Sequence, residues 1–205
     1  MGHTLLVANR GEIAVRILRS AKDLGIRTVA VFSEADRAAP HVRLADEAHL
    51  LGPTAPAESY LSVDRVLDVA SATGTTMLHP GYGFLSESEE LARRCAEAGI
   101  VFVGPTPEQL AVFGTKHTAR EAAAAAGVPV FPGTGLLRDA EDAVTQVADI
   151  GYPVMLKATG GGGGIGMTIC RDDAELRAAY DRISGLAQRS FGDGGLFAER
   201  YVERA

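Results

Sequence analysis

Apolar positions near the start of the chain fall into short blocks that alternate between two periods. Leu5-Leu6-Val7-Ala8 is a continuous apolar run, Asn9-Arg10-Gly11-Glu12 interrupts it, and Ile13, Val15, Ile17 and Leu18 then recur at helical spacing. Leu24-Gly25 ends that helix, and the β-branched stretch 27–32 supplies a second strand. The opening therefore predicts a parallel, right-handed βαβ unit. The alternation continues with a helix over 62–72, a strand over 75–78, a helix over 87–98 and a strand over 100–103. Alternating elements with short connections predict an open α/β sheet covered by helices on both faces.

Gly104-Pro105-Thr106-Pro107 punctuates the end of this region, and the alanine-rich stretch 118–126 predicts a helix closed by Gly127. A domain boundary is expected here, dividing the chain into 1–110 and 111–205. The second part is expected to hold a strand over 128–131, a Pro132-Gly133-Thr134-Gly135 loop and a helix over 140–150. Strands over 153–157 and 167–170 then flank the glycine run Gly160 to Gly164, followed by a helix over 173–186 and a strand over 195–202. There is no internal repeat.

Composition narrows the class. The 205 residues are 46% hydrophobic and 22% charged, and no apolar run approaches the ~18 residues of a membrane span, so a soluble globular chain is expected. The start carries neither the basic segment nor the long apolar stretch of a secretory signal, and a cytoplasmic location is expected. A net charge of -6 with mixed signs argues against non-specific nucleic-acid binding. Cys95 and Cys170 lack metal-ligand spacing and are too few for a disulfide framework, so two reduced, buried thiols are expected. No metal-ligating cluster is visible.

Five consecutive glycines between two strands are entropically expensive to order. Without Cβ atoms their N–H groups can crowd around phosphate oxygens, and Lys157 just before them carries a charge that reaches the same anion. On spacing alone, phosphate cover and a plain flexible linker both remain open. The run lacks the Gly-Lys-Ser/Thr ending of a Walker loop. Asn9-Arg10-Gly11-Glu12 sits where a dinucleotide fold places its phosphate turn but holds one of the three fingerprint glycines, so dinucleotide binding is not expected there.

Three strings taken together resemble the biotin carboxylase family: 8–14 (Ala-Asn-Arg-Gly-Glu-Ile-Ala), 79–87 (His-Pro-Gly-Tyr-Gly-Phe-Leu-Ser-Glu), and Gly151-Tyr152-Pro153-Val154 leading to Lys157 and the glycines. The resemblance covers essentially the whole chain. It implies a Rossmann-like pre-ATP-grasp domain followed by a truncated ATP-grasp module whose glycines form a lid, poorly ordered without nucleotide. It further implies that Lys116 and Lys157 contact ATP phosphates and that Gly163 and Gly164 close over them. Glu199, Arg200 and Val202 belong to the strand that receives the adenine, with Arg200 where relatives often carry lysine. Tyr82 and Gly83 border the biotin site, while His79 is expected to stabilise its turn.

The implied reaction is ATP-dependent carboxylation, with bicarbonate, of biotin on a carrier domain. A carboxyltransferase region then passes the group on, and the implied assembly is a homodimer through the first domain. Mg²⁺ is implied as a cofactor, with its ligands, the bicarbonate arginine and the base downstream of Ala205, so these residues alone are expected to be inactive. Residues 116–121 (Lys-His-Thr-Ala-Arg-Glu), 132–137 (Pro-Gly-Thr-Gly-Leu-Leu) and Ile165 most resemble the urea carboxylases, whereas Gly160 departs from them. An acyl-CoA carboxylase subunit, another ATP-grasp ligase and a non-enzymatic nucleotide-binding module are the alternatives.

Overall fold

A computed structural model describes residues 2–160 and 166–203, and the chain separates into two compact units, 1–111 and 112–205. In the first, β1 (Thr4–Val7), α1 (Gly11–Asp23), β2 (Arg27–Ser33), α2 (Pro40–Leu44) and β3 (Glu47–Gly52) come in order. They are followed by α3 (Val63–Ala72), β4 (Met77–His79), α4 (Glu89–Glu97), β5 (Val101–Phe102) and α5 (Pro107–Phe113). All strand pairs are parallel, in the order β3-β2-β1-β4-β5.

The continuous apolar character of β1 follows from its central place, where both sheet faces are covered. Leu5 and Val7 pack with Ala14, Ile17 and Leu18 of α1. Leu6 and Ala8 pack on the other side with Val66 of α3 and Leu91 and Cys95 of α4. Ser62 and Ser88 cap α3 and α4, each accepting from a backbone N–H three residues on.

The periodicity does not reveal α2, β3 or α5. α2 is too short for a period to register, and β3 is a sheet edge where polar Glu47 and His49 break the apolar pattern, only Leu51 and Gly52 at its end being buried.

The second unit contains α6 (Lys116–Ala125), α7 (Ala140–Ala148), β6 (Val154–Ala158), β7 (Met167–Cys170), α8 (Asp173–Phe191) and β8 (Leu196–Arg200). Its sheet is antiparallel with β6 in the centre, in the order β7-β6-β8. Val154, Leu156, Ala158, Leu196 and Ala198 pack on one face against α7 and α8, through Val147, Leu176 and Ile183. By alternation Met155, Lys157 and Glu199 point to the other face.

The strand expected over 128–131 is absent. Pro129 and Pro132 cannot donate to a ladder, and Val128, Val130 and Phe131 are exposed. The pairing begins one step later, in the segment expected to be a loop. Arg200 N–H donates to the Pro132 carbonyl (2.8 Å), Thr134 N–H donates to the Ala198 carbonyl (2.8 Å), and Gly133 bridges Glu199.

Candidate functional site

β6 and β8 bring two of the expected residues together. Met155 pairs with Glu199 and Lys157 with Phe197, so Lys157 and Glu199 are diagonal neighbours on the face away from α7 and α8. The Lys157 ammonium is paired with Glu199 Oε2. Arg120 on α6 holds the other carboxylate oxygen, Oε1, at 3.2 Å. Its second terminal nitrogen donates to the Phe131 carbonyl, tying α6 to the segment before β8's extra pairing partner.

Arg120, Pro129, Val130, Phe131 and Glu199 line an open cleft of about 450 Å³. Arg120 was not expected as a site residue. The signal was its position four residues after Lys116, which puts both side chains on one face of α6.

Lys116 opens α6, where a cation opposes the helix dipole, so helix stability alone gives no reason for it. Arg200 takes a different course. It pairs with Val154, so its side chain lies on the helix-covered face, and its guanidinium donates to the Ile150 carbonyl beyond α7. The structure thus does not bring it to the Lys157–Glu199 pair. Val202 follows the end of β8, after Tyr201 N–H has bonded the Pro153 carbonyl (3.0 Å), and is exposed, with no hydrogen bond to its amide among the described residues. Gly163 and Gly164, with most of the expected lid, lie outside the described residues. Among the described residues, Ala158 N–H donates to the Gly166 carbonyl (2.9 Å).

Tyr82 and Gly83 belong to the first unit, in the loop after β4. Tyr82 is exposed, and its hydroxyl bonds the Glu12 carboxylate, which pushes the phenol pKa up. Gly83 has φ +68°, with open space where a Cβ would point. His79 Nδ1 accepts from Gly81 N–H (3.0 Å), and burial, with help from Arg16, lowers its pKa. Its hydrogen bond stabilises the turn, as expected of it. Among the described residues no three His, Cys, Asp or Glu gather as a metal site would require, and no helix is long and apolar enough to cross a membrane.

Comparison with known proteins gives two family matches. Residues 1–110 match the model of the biotin carboxylase N-terminal domain, and residues 115–205 match that of the carbamoyl-phosphate synthase L chain ATP-binding domain. A biotin carboxylase from Halalkalibacterium halodurans is 54% identical over 97% of this chain and 44% of its own length. A protein provisionally named urea carboxylase from Emericella nidulans is 51% identical over 97% of this chain and 16% of its own. A solved structure of the biotin carboxylase domain dimer of Hydrogenobacter thermophilus 2-oxoglutarate carboxylase, with MgADP, ADP and bicarbonate, superposes with a TM-score of 0.93 at 46% identity. That match covers 99% of this chain and 45% of the other. The chain spans less than half the length of each of these relatives.

Proposed function

Because the chain belongs to the biotin carboxylase family, through the N-terminal-domain match over more than half its length, we propose that it forms the first part of an enzyme that carboxylates carrier-bound biotin with ATP and bicarbonate. The proposed organisation is a pre-ATP-grasp domain over 1–110 and the first part of an ATP-grasp domain over 111–205. The observation that carries the nucleotide reading is the clasp of Glu199 between Lys157 and Arg120 on the sheet face that α7 and α8 leave uncovered.

The residues fit a nucleotide. A partly exposed ammonium held by one carboxylate oxygen can be drawn to a polyphosphate, while the carboxylate keeps its second cation. In this reading Lys157 and Lys116 hold phosphate oxygens, with Gly163 and Gly164 supplying backbone donors. Glu199 accepts from the exocyclic amine of adenine and the Val202 N–H donates to the ring. Arg200, turned to the Ile150 carbonyl, acts on the edge of this strand and not on the phosphates. Tyr82 and Gly83 face biotin.

ATP supplies the phosphoryl group that activates bicarbonate, and Mg²⁺ the charge compensation of such transfers. The described residues offer no three-ligand group for Mg²⁺. The proposed partners are the biotin carrier domain, a carboxyltransferase region and a second copy of the chain, in the cytoplasm. Urea is the proposed final acceptor, on the strings at 116–121 and 132–137 and on Ile165.

The test uses the full-length protein that carries this chain. ADP release should require bicarbonate and biotin, rise with urea, and be abolished by avidin. Turnover indifferent to biotin and avidin would overturn the carboxylase reading. Carboxylation of acetyl-CoA or propionyl-CoA in place of urea would overturn the acceptor alone.

A further inference from the structure

We propose that Asn9 is a positioning residue for the loop at 80–84, fixing through its buried carboxamide the backbone of Tyr82 and Gly83. The inference rests on the biotin reading of that loop and adds to it the device that sets its shape. Asn9 comes two residues after the end of β1, and β1 lies between β2 and β4, where the strand order reverses. In open parallel sheets the crevice at that point takes a ligand. Here the Asn9 carboxamide is turned from that position to the loop after β4.

Asn9 is 3% exposed. Its Oδ1 accepts from Arg10 N–H (2.8 Å), which turns Nδ2 towards the loop. Nδ2 then donates to the Pro80 carbonyl (2.7 Å) and the Tyr82 carbonyl (2.8 Å), using both of its hydrogens. The seat is close: a Cβ on Gly81 would come within 2.8 Å of Nδ2.

The loop needs such a clamp. Gly81, Gly83 and Phe84 all have positive φ, at +69°, +68° and +44°, and Phe84 is not a glycine. Phe84 is held by a stack on Tyr60 at 5.0 Å between ring centroids, with the Arg10 guanidinium 5.5 Å from each centroid. Asn9 thus holds the middle of the loop and Phe84 its end. An aspartate at position 9 would set acceptor oxygens against two carbonyls, so only the neutral amide satisfies this geometry.

The experiment uses the full-length protein with Asn9→Ala, and with Asn9→Ser, which keeps one donor, should the alanine variant not fold. Amide hydrogen exchange at 81–86 should accelerate about tenfold or more while β1 and β2 keep their protection. KM for free biotin should rise about tenfold, the equivalent of a lost pair of hydrogen bonds, with KM for ATP unchanged. Unchanged exchange at 81–86, or a KM for ATP that rises as much as that for biotin, overturns the proposal. If Gly83→Val leaves biotin kinetics unmoved in the same protein, the biotin reading of the loop is what has failed.

Discussion

Replacing Lys157 by methionine keeps the apolar stem on β6 and removes only the charge that pairs with Glu199. The side chains of the pair are 26% and 18% exposed, which places it between a surface ion pair, worth about 0–1 kcal/mol, and a fully buried one, whose breakage costs about 3–5 kcal/mol. Arg120 stays on the other carboxylate oxygen at 3.2 Å, so Glu199 is not left uncompensated. The stability cost should therefore sit near the lower bound, about 1 kcal/mol, or at most about 2–4 °C in Tm. ATP use should suffer more. A charge-assisted contact to phosphate is worth about 1.5–3 kcal/mol, which is roughly a 10- to 150-fold rise in KM for ATP.

Glu199→Gln separates the two effects, because it leaves two cations facing a neutral amide and should cost more stability than Lys157→Met. Steady-state kinetics and thermal unfolding of the full-length protein provide both readouts. A KM for ATP within twofold of the parent refutes the phosphate assignment. A Tm loss beyond about 10 °C would instead make Lys157 structural.

His41 is fully buried, its Nε2 donates to the Val31 carbonyl (3.2 Å) and its Nδ1 meets no partner among the described residues. Burial lowers its pKa below the ordinary 6.5, so the unfolded chain binds the proton more readily. Stability should be full above about pH 6.5 and fall as acid approaches the depressed folded value. Urea unfolding that is flat between about pH 7.5 and 5.5 would contradict this. Tyr60 donates to Asp36 (2.8 Å) and accepts from the buried Ser33 N–H (3.1 Å), so Tyr60→Phe orphans that N–H and should cost about 1–3 kcal/mol in equilibrium unfolding, against a null shift if water replaces it. Burial pushes the Cys95 and Cys170 thiols up to about 11, so a thiol reagent at neutral pH should label neither before unfolding; rapid labelling of native protein would place them outside the core.

The sequence determined most of the elements because their signals are local. β1, α1 and β2 announce themselves by a change of apolar period around Asn9 to Glu12, and α3 and α4 by the alternation of helical and strand stretches that continues after it. β3 escaped because it is an edge strand in which polar Glu47 and His49 share one alternation with the buried Leu51, so no apolar period registers. The 128–131 run misled because its β-branched and aromatic residues promise a strand, while Pro129 within it and Pro132 after it have no N–H to donate to a ladder. Lys157 and Glu199 were legible as single residues through the family strings. Their pairing was not, since it depends on the register of β6 against β8, 42 residues apart in the chain. Only the tertiary structure set Arg120 on Glu199, turned Arg200 to the Ile150 carbonyl, and put the Asn9 amide under a loop more than seventy residues away. Such contacts are decided by which strands lie side by side, and a hydrophobic period, which reports only the face each residue presents, carries no information about that.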